Sequence, residues 1–321
     1  MTTVFSGEGI KIVSAIVLIA VYFSVIYVKP TVLHALQSWK NTTRSITLRQ
    51  CTIILRKQDG RLGNRLFMFA SAYGLSLNRS CHLYINPAII TELGQSFEIN
   101  LPHSLLSKSY SNDSKFVEKI DNHCSFLPHV FYSNYTCSLE LSGYWQVYKY
   151  FVDYKQQLRR QLRFKQSILD RVNDFLSKTN NRSNSTLVGL HIRRGDFLSI
   201  RRVSSLKYIF QAMSYFQMKY GLVTFVIVSD DKVYCQKTFA HRNNVVITPS
   251  SFSAAEDLAT LAMCDHAIIT VGTFGWWGAF LLHNESGEVI SDSKPDHSPL
   301  DVKCRHEDYF PYWFSFLNKT D

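Results

Sequence analysis

The sequence predicts an α/β fold built from two halves that face each other across a cleft. Three observations predict it. "CTIIL" from Cys51, the turn "DGRLGN", a helical run and "CHLYI" make a strand–turn–helix–strand unit. A second, longer alternation of apolar runs and helical segments starts at "LVGLHI". Polar or glycine residues follow directly on the strands, at the edge where open α/β sheets bind ligands.

The chain has 321 residues, room for two domains of ordinary size. Its 46% hydrophobic and 19% charged residues supply a large core and exclude global disorder. The net charge of +10 is spread along the chain, with no lysine-rich tail or basic helix standing out. That points away from nucleic acid and leaves an anionic small molecule or an acidic surface as partner.

Residues 1–11 read as a cytosolic tail and residues 12–28, "IVSAIVLIAVYFSVIYV", as a transmembrane signal anchor. Those uncharged residues would rise about 26 Å as a helix, close to an endomembrane core of about 27 Å. Lys11 and Lys29 flank the run, and no small-x-small cleavage site follows it. Basic residues beyond the anchor argue for a cytosolic body. The sequons argue otherwise: Asn41, Asn78, Asn112, Asn134, Asn181, Asn184, Asn284 and Asn318 are eight of the sixteen asparagines. Such acceptors have meaning only in a secretory lumen, so the body is expected there. Seven cysteines without a C-x-x-C pair suit disulfides in that lumen and leave the pairing open.

Residues 29–50 read as a stem. Residues 51–180 form the N-terminal α/β domain and residues 181–321 the C-terminal one, joined at "NNRSNST". Residues 86–140 read as an irregular loop or cap region, and 148–177, including "KQQLRRQLRFK", as helix with a solvated basic face. After the junction, "LVGLHI", "VTFVIVSDD", "NVVIT" and "AIIT" are strands, and "SLKYIFQAMSYFQMKY", "AAEDLATLAMCDH" and "GWWGAFLL" are helices.

Four stretches can carry chemistry. In "HIRRGD", His191 and Arg193 share one strand face by period two. A guanidinium offers a phosphate two-pronged hydrogen bonding and a permanent charge. The alternative is an Arg–Asp pair, made with Asp196, that ties down a loop. In "GRLGN", Gly63 lets backbone approach a ligand and Asn64 adds a side-chain donor and acceptor; the plainer reading is a tight turn with Asn64 as N-cap. Asp230 and Asp231 are adjacent, so their side chains diverge and suit a cap or hydrogen-bonding role better than a metal site. Asp257 lies in a first helical turn, where it is either dipole-stabilised or aimed at a ligand. Thr273, Phe274 and Gly275 sit between strand and helix, with N–H groups suited to phosphate, while Trp276 and Trp277 stack on sugar or pack.

Three blocks, "GRLGNRLFMFASAYGLS", "GLHIRRGDF" and "DLATLAMCDHAIITVGTFGWWGAFLL", span residues 60–282, and through them the chain resembles the galactoside α1,2-fucosyltransferase family. H-x-R-R-x-D is shared more widely with α1,6- and protein O-fucosyltransferases, and the third block points to the α1,2 branch. Arg65 departs from the glutamine common in relatives, a difference that bears on acceptor preference.

The resemblance implies two Rossmann-like domains in a GT-B-like arrangement, GDP-fucose as donor and inversion at the anomeric carbon. It implies no cofactor, no essential metal and galactose-terminated glycans as acceptors, in a Golgi type II membrane protein. By motif position, Arg193 holds the leaving diphosphate, His191 and Asp257 lie near the guanine, and Thr273, Phe274 and Gly275 offer N–H groups. Gly63 and Asn64 approach from the acceptor-side domain. Asp196 and Glu256 are the candidates for a general base, Asp196 being better suited to orienting an arginine. The rivals are another linkage, protein O-fucosylation, or a glycan-binding relative without activity.

Overall fold

The computed structural model describes residues 51–103, 105–106, 117–132, 137–180, 185–200, 203–292 and 305–317. The expected tail, anchor and stem (1–50) lie outside the described residues. No helix among the described residues is long and apolar enough to cross a membrane.

The first half contains β1 (Thr52–Leu55), α1 (Leu62–Asn78), β2 (His82–Ile85), α2 (Pro87–Leu93), β3 (Val117–Asp121) and β4 (Ser138–Ser142). Its strands are all parallel, in the order β2-β1-β4-β3. A disulfide joins Cys51, just before β1, to Cys81, just before β2. It closes the strand–helix–strand unit and stabilises it by roughly 3–4 kcal/mol through the unfolded chain. Cys124 is disulfide-bonded too, and Cys137, Cys235 and Cys264 carry free thiols.

The loop reading of residues 86–140 is corrected here: they hold α2, β3, most of β4 and a short helix, Pro128–Tyr132. Charged residues hid the strands. "VEKID" is an edge strand, half-exposed along its length. "SLELS" buries Glu140 between two leucines, where Arg56 Nε meets the carboxylate at 2.9 Å.

The second half is entered through α3 (Lys155–Gln161) and α4 (Gln166–Asn180). The single helix expected from residue 148 is therefore broken at residues 162–165. Its basic face is not wholly solvated: Arg159 Nη2 donates to the Leu282 carbonyl at 2.7 Å, and Lys155 Nζ sits 4.3 Å from the Trp313 ring centroid. There follow β5 (Thr186–Ile192), α5 (Leu206–Tyr220), β6 (Val223–Ser229), α6 (Lys232–Thr238), β7 (Val245–Ile247), α7 (Ala254–Ala262), β8 (His266–Ile269), α8 (Thr273–Phe280), β9 (Val289–Ser291) and β10 (Phe314–Phe316).

This sheet is also all parallel, ordered β10-β9-β8-β5-β6-β7. Chain order reverses between β5 and β8, the Rossmann-type switch point at which a crevice opens beyond the strand ends. β5 and β6 are near-continuous apolar runs because helices cover both faces.

One hydrophobic core runs through both halves. α1 is buried almost all round, as a helix must be when it is covered on both sides. Its Phe67 meets Trp276 at 4.5 Å and Trp277 at 5.2 Å between ring centroids, and Phe151 stacks on Trp277 at 5.7 Å. Both tryptophans are fully buried, so the pair packs and does not present a face to sugar. Each such ring contributes roughly 2–3 kcal/mol by burial.

Candidate functional site

The loops beyond the C-terminal ends of β1, β3, β4, β5 and β6 converge with the starts of α7 and α8 on one cavity of about 1010 Å³. A volume of this order suits a nucleotide-sized ligand.

Two helix N-termini meet at its floor. α1 starts at Leu62, and a Cβ on Gly63 would come within 2.9 Å of the Phe274 backbone nitrogen at the start of α8. Only glycine permits that approach. The first N–H groups of each helix lack intrahelical acceptors and carry partial positive charge. Asn64 locks the junction: its Oδ1 accepts from Thr273 Oγ1 at 3.0 Å and from Gln146 Nε2 at 3.1 Å. The N-cap of α1 is Arg61, without a side-chain cap bond, so the N-cap reading of Asn64 is wrong.

β5 delivers His191 to its C-terminal end, opposite Ile269 of β8 at the switch point. The imidazole is buried, and desolvation, with Arg193 beside it, lowers its pKa to about 3. It is therefore neutral at physiological pH. Its Nδ1 lies 3.3 Å from Thr270 Oγ1, which also accepts from the Arg193 backbone N–H at 2.9 Å. Gly275 leaves room for the ring, since a Cβ there would collide with it.

Arg193 reaches into the cavity between two carboxylates. Its Nη1 donates to Asp230 and its Nη2 to Asp196, with the guanidinium 4.7 Å from the Phe197 ring centroid. The two adjacent arginines take different partners. Asp196 pairs with Arg193, and also with Arg61 Nη2 at 3.2 Å across the cleft, but not with Arg194. Arg194 Nε meets Asp231 at 3.1 Å and its guanidinium lies 3.3 Å over the Tyr234 ring. Arg194 is thus the structural arginine, by way of Asp231. Asp231 also caps α6, accepting from Tyr234 N at 3.0 Å, and Asp230 accepts from Arg194 N at 2.9 Å.

Asp257 lines the cavity from the first turn of α7, with its oxygens 3.0 and 2.9 Å from Lys232 Nζ. Desolvation raises its pKa, against the pull of Lys232. Glu256 is withdrawn from the site: it closes the capping box with Ser253 and meets Arg171 at 2.7 Å. Its candidacy as general base is thereby overturned. Arg65 also faces away, buried against Glu92 at 2.7 Å.

His191, Arg193, Asp196, Gly63, Asn64, Asp257, Thr273 and Phe274 thus line one cavity, with Gly275 immediately beneath. Sequence reasoning assigned no role to Arg61, although it stands inside "GRLGN", and missed His123, Tyr144 and Gln146, which line the first-half wall. Of the sequons, Asn78 and Asn284 fall among the described residues, and both amides are engaged. Asn78 Nδ2 donates to Phe131 O at 2.7 Å and Asn284 Nδ2 to Asp265 O at 3.2 Å. Asn41, Asn112, Asn134, Asn181, Asn184 and Asn318 lie outside the described residues.

The model of glycosyl transferase family 11 matches residues 29–316. The chain belongs to glycosyl transferase family 11. Among curated relatives, galactoside alpha-(1,2)-fucosyltransferase 2 of Sus scrofa is 27% identical over 270 residues, covering 79% of this chain and 77% of the relative. The same enzyme of Oryctolagus cuniculus is 28% identical over 274 residues, covering 79% and 74%. Among solved structures, the fucosyltransferase NodZ from Bradyrhizobium superposes with a TM-score of 0.51 at 14% identity, covering 71% of this chain and 92% of NodZ. That likeness is one of fold.

Proposed function

We propose that this family 11 member is a galactoside 2-α-L-fucosyltransferase. It would transfer fucose with inversion from GDP-β-L-fucose to the 2-hydroxyl of a terminal galactose on glycoproteins or glycolipids. One observation carries the reading: Arg193 and the N-termini of α1 and α8 converge on a single cavity at the switch point of the second sheet. The names of the curated relatives supply the sugar and the linkage. Two Rossmann-like halves around that cavity suit a GT-B-like transferase.

The chemistry follows from charge. GDP leaves with negative charge developing on its β-phosphate, and fixed donors in a water-poor cleft stabilise that charge most in the transition state. Arg193 supplies two parallel N–H donors, and the α8 start at Thr273, Phe274 and Gly275 supplies backbone donors. Asn64 ties the two helix starts together. Neutral His191 and Asp257 face the base end of the nucleotide. Asp196 and Asp230 position the guanidinium before the donor arrives.

This arrangement meets the leaving charge with protein groups, so the reaction needs neither an added cofactor nor a divalent metal. The adjacent aspartates support that reading, because every oxygen of Asp230 and Asp231 already has an arginine or backbone partner. Residues 12–28 would anchor the body on the lumenal side of the Golgi membrane, as the sequons require; protease protection and glycosidase-sensitive mobility of the full chain in microsomes test that topology.

The test of the activity is incubation of the full-length chain with GDP-fucose and a panel of terminal galactosides, with and without EDTA, followed by linkage analysis. A Fucα1-2Gal product formed undiminished in EDTA is expected. A different linkage, or galactoside binding with no GDP release, would replace this reading.

A further inference from the structure

Inverting transfer needs a group that takes the acceptor's proton, and the cavity holds few that are free to do so. Asp196 gives both oxygens to Arg193 and Arg61. Asp230 gives both to Arg193 and the Arg194 N–H. Asp257 gives both to Lys232. His191 is buried beside the Arg193 charge, and burial makes it a weak base.

His123 differs from all of these. It follows β3 at the C-terminal edge of the first sheet and lines the same cavity as Arg193, which follows the second sheet's β5. Its side chain is half exposed, and its ring packs edge-on to Tyr144 at 5.5 Å. Among the described residues the ring has no hydrogen-bonded partner. Nε2 lies 3.8 Å from Asp121 Oδ2, and Asp121 is itself held by Ser142 Oγ at 2.8 Å. At 3.8 Å between two exposed side chains the contact with Asp121 is loose and is no hydrogen bond, so both ring nitrogens stay open to a ligand.

We propose that His123 is the general base of the transfer. The inference rests on the fucosyltransferase reading above. The acceptor hydroxyl oxygen forms the new bond to the anomeric carbon of the donor while the bond from that carbon to the β-phosphate oxygen breaks. The bonding pair departs on GDP beside Arg193, and the hydroxyl proton passes to the His123 ring and then to solvent. Base and leaving-group cradle are then supplied by different halves of the chain, as an in-line displacement allows.

The experiment uses the full-length chain in detergent as wild type, His123→Ala and His123→Gln. GDP affinity is read by calorimetry, and kcat and KM for transfer to lactose are measured with and without added imidazole. The inference expects His123→Ala to bind GDP about as the wild type does, to lose on the order of 10²-fold or more in kcat, and to regain roughly tenfold with imidazole. His123→Gln, which keeps the bulk but accepts no proton, is expected to be equally slow. Near-wild-type transfer by either folded variant overturns the inference, as does loss of GDP binding by both, which would make His123 a structural residue. A slow alanine variant that imidazole leaves slow overturns it too. A wild-type chain that binds GDP and releases none from GDP-fucose strikes the fucosyltransferase reading itself, so the two failures are told apart.

Discussion

Arg193, Asp196, Asp230 and Asp257 form the charged wall of the cleft on the second sheet, and each is engaged by a charged side chain: Arg193 by Asp196 and Asp230, and Asp257 by Lys232. The first-sheet wall presents His123, Tyr144 and Gln146, of which Gln146 alone has a side-chain hydrogen bond among the described residues. A wall whose charges are fixed before binding suits a fixed pattern of charge such as a leaving diphosphate. A wall of polar and aromatic groups suits a neutral, hydroxyl-rich acceptor. Under the proposed function, donor and acceptor duties would divide by sheet, with Arg61 and the Gly63–Asn64 turn the first half's contribution to the donor side.

The sharpest way to break this division is Arg193→Ala, which should cut kcat by about 10³-fold or more while the body remains folded. Unchanged turnover would remove the charged wall from the chemistry. Next comes Gly275→Ala. A Cβ there meets the His191 ring, so the ring and the α8 start must part, and GDP binding should weaken by roughly 10²-fold, read by calorimetry.

Asp196→Asn keeps the shape but loosens Arg193 and breaks the exposed cross-cleft pair with Arg61. That pair alone is worth only ~0–1 kcal/mol, so a kcat loss of about tenfold would come from Arg193. A loss as large as that of Arg193→Ala would mean that Asp196 itself handles the proton. Arg65→Gln should leave the acceptor KM within about twofold, because Arg65 faces Glu92 and not the cavity, and should cost about 1–3 kcal/mol of stability in denaturant melts. A changed acceptor preference would extend the acceptor wall to this residue.

A separate effect concerns pH and stability. His191 has a folded pKa of about 3 against 6.5 for the free side chain, so the unfolded chain binds the extra proton first. Its contribution to stability is whole above pH 6.5 and is lost as pH falls towards about 3. His191→Asn should flatten that part of the stability profile.

The charged wall was legible because its residues sit in short, continuous motifs. "HIRRGD" carries the end of the switch-point strand, its turn and the cavity-lining Arg193 within six positions; β5 ends at Ile192, so both arginines lie beyond the strand, and their partners rather than strand period separate them. What stayed hidden was the pairing: Asp196 lies two positions beyond Arg194, yet the 3₁₀ turn at Gly195–Phe197 returns it to Arg193.

The first-sheet wall was illegible for a physical reason. β3 and β4 are short, carry charge, and are separated by chain that shows no period, so nothing local announces that "NH" and "YWQ" follow neighbouring strands. The Cys51–Cys81 pair likewise depends on β1 and β2 lying side by side, which spacing alone does not reveal.

The central claim is that a diphosphate is held where Arg193 meets the two helix starts. Its most direct test is calorimetric comparison of GDP with guanosine on wild type and Arg193→Ala. GDP should bind the wild type at least about 10²-fold tighter than guanosine, and the substitution should remove most of that advantage. Equal affinities for GDP and guanosine on the wild type, or an advantage untouched by the substitution, would contradict it.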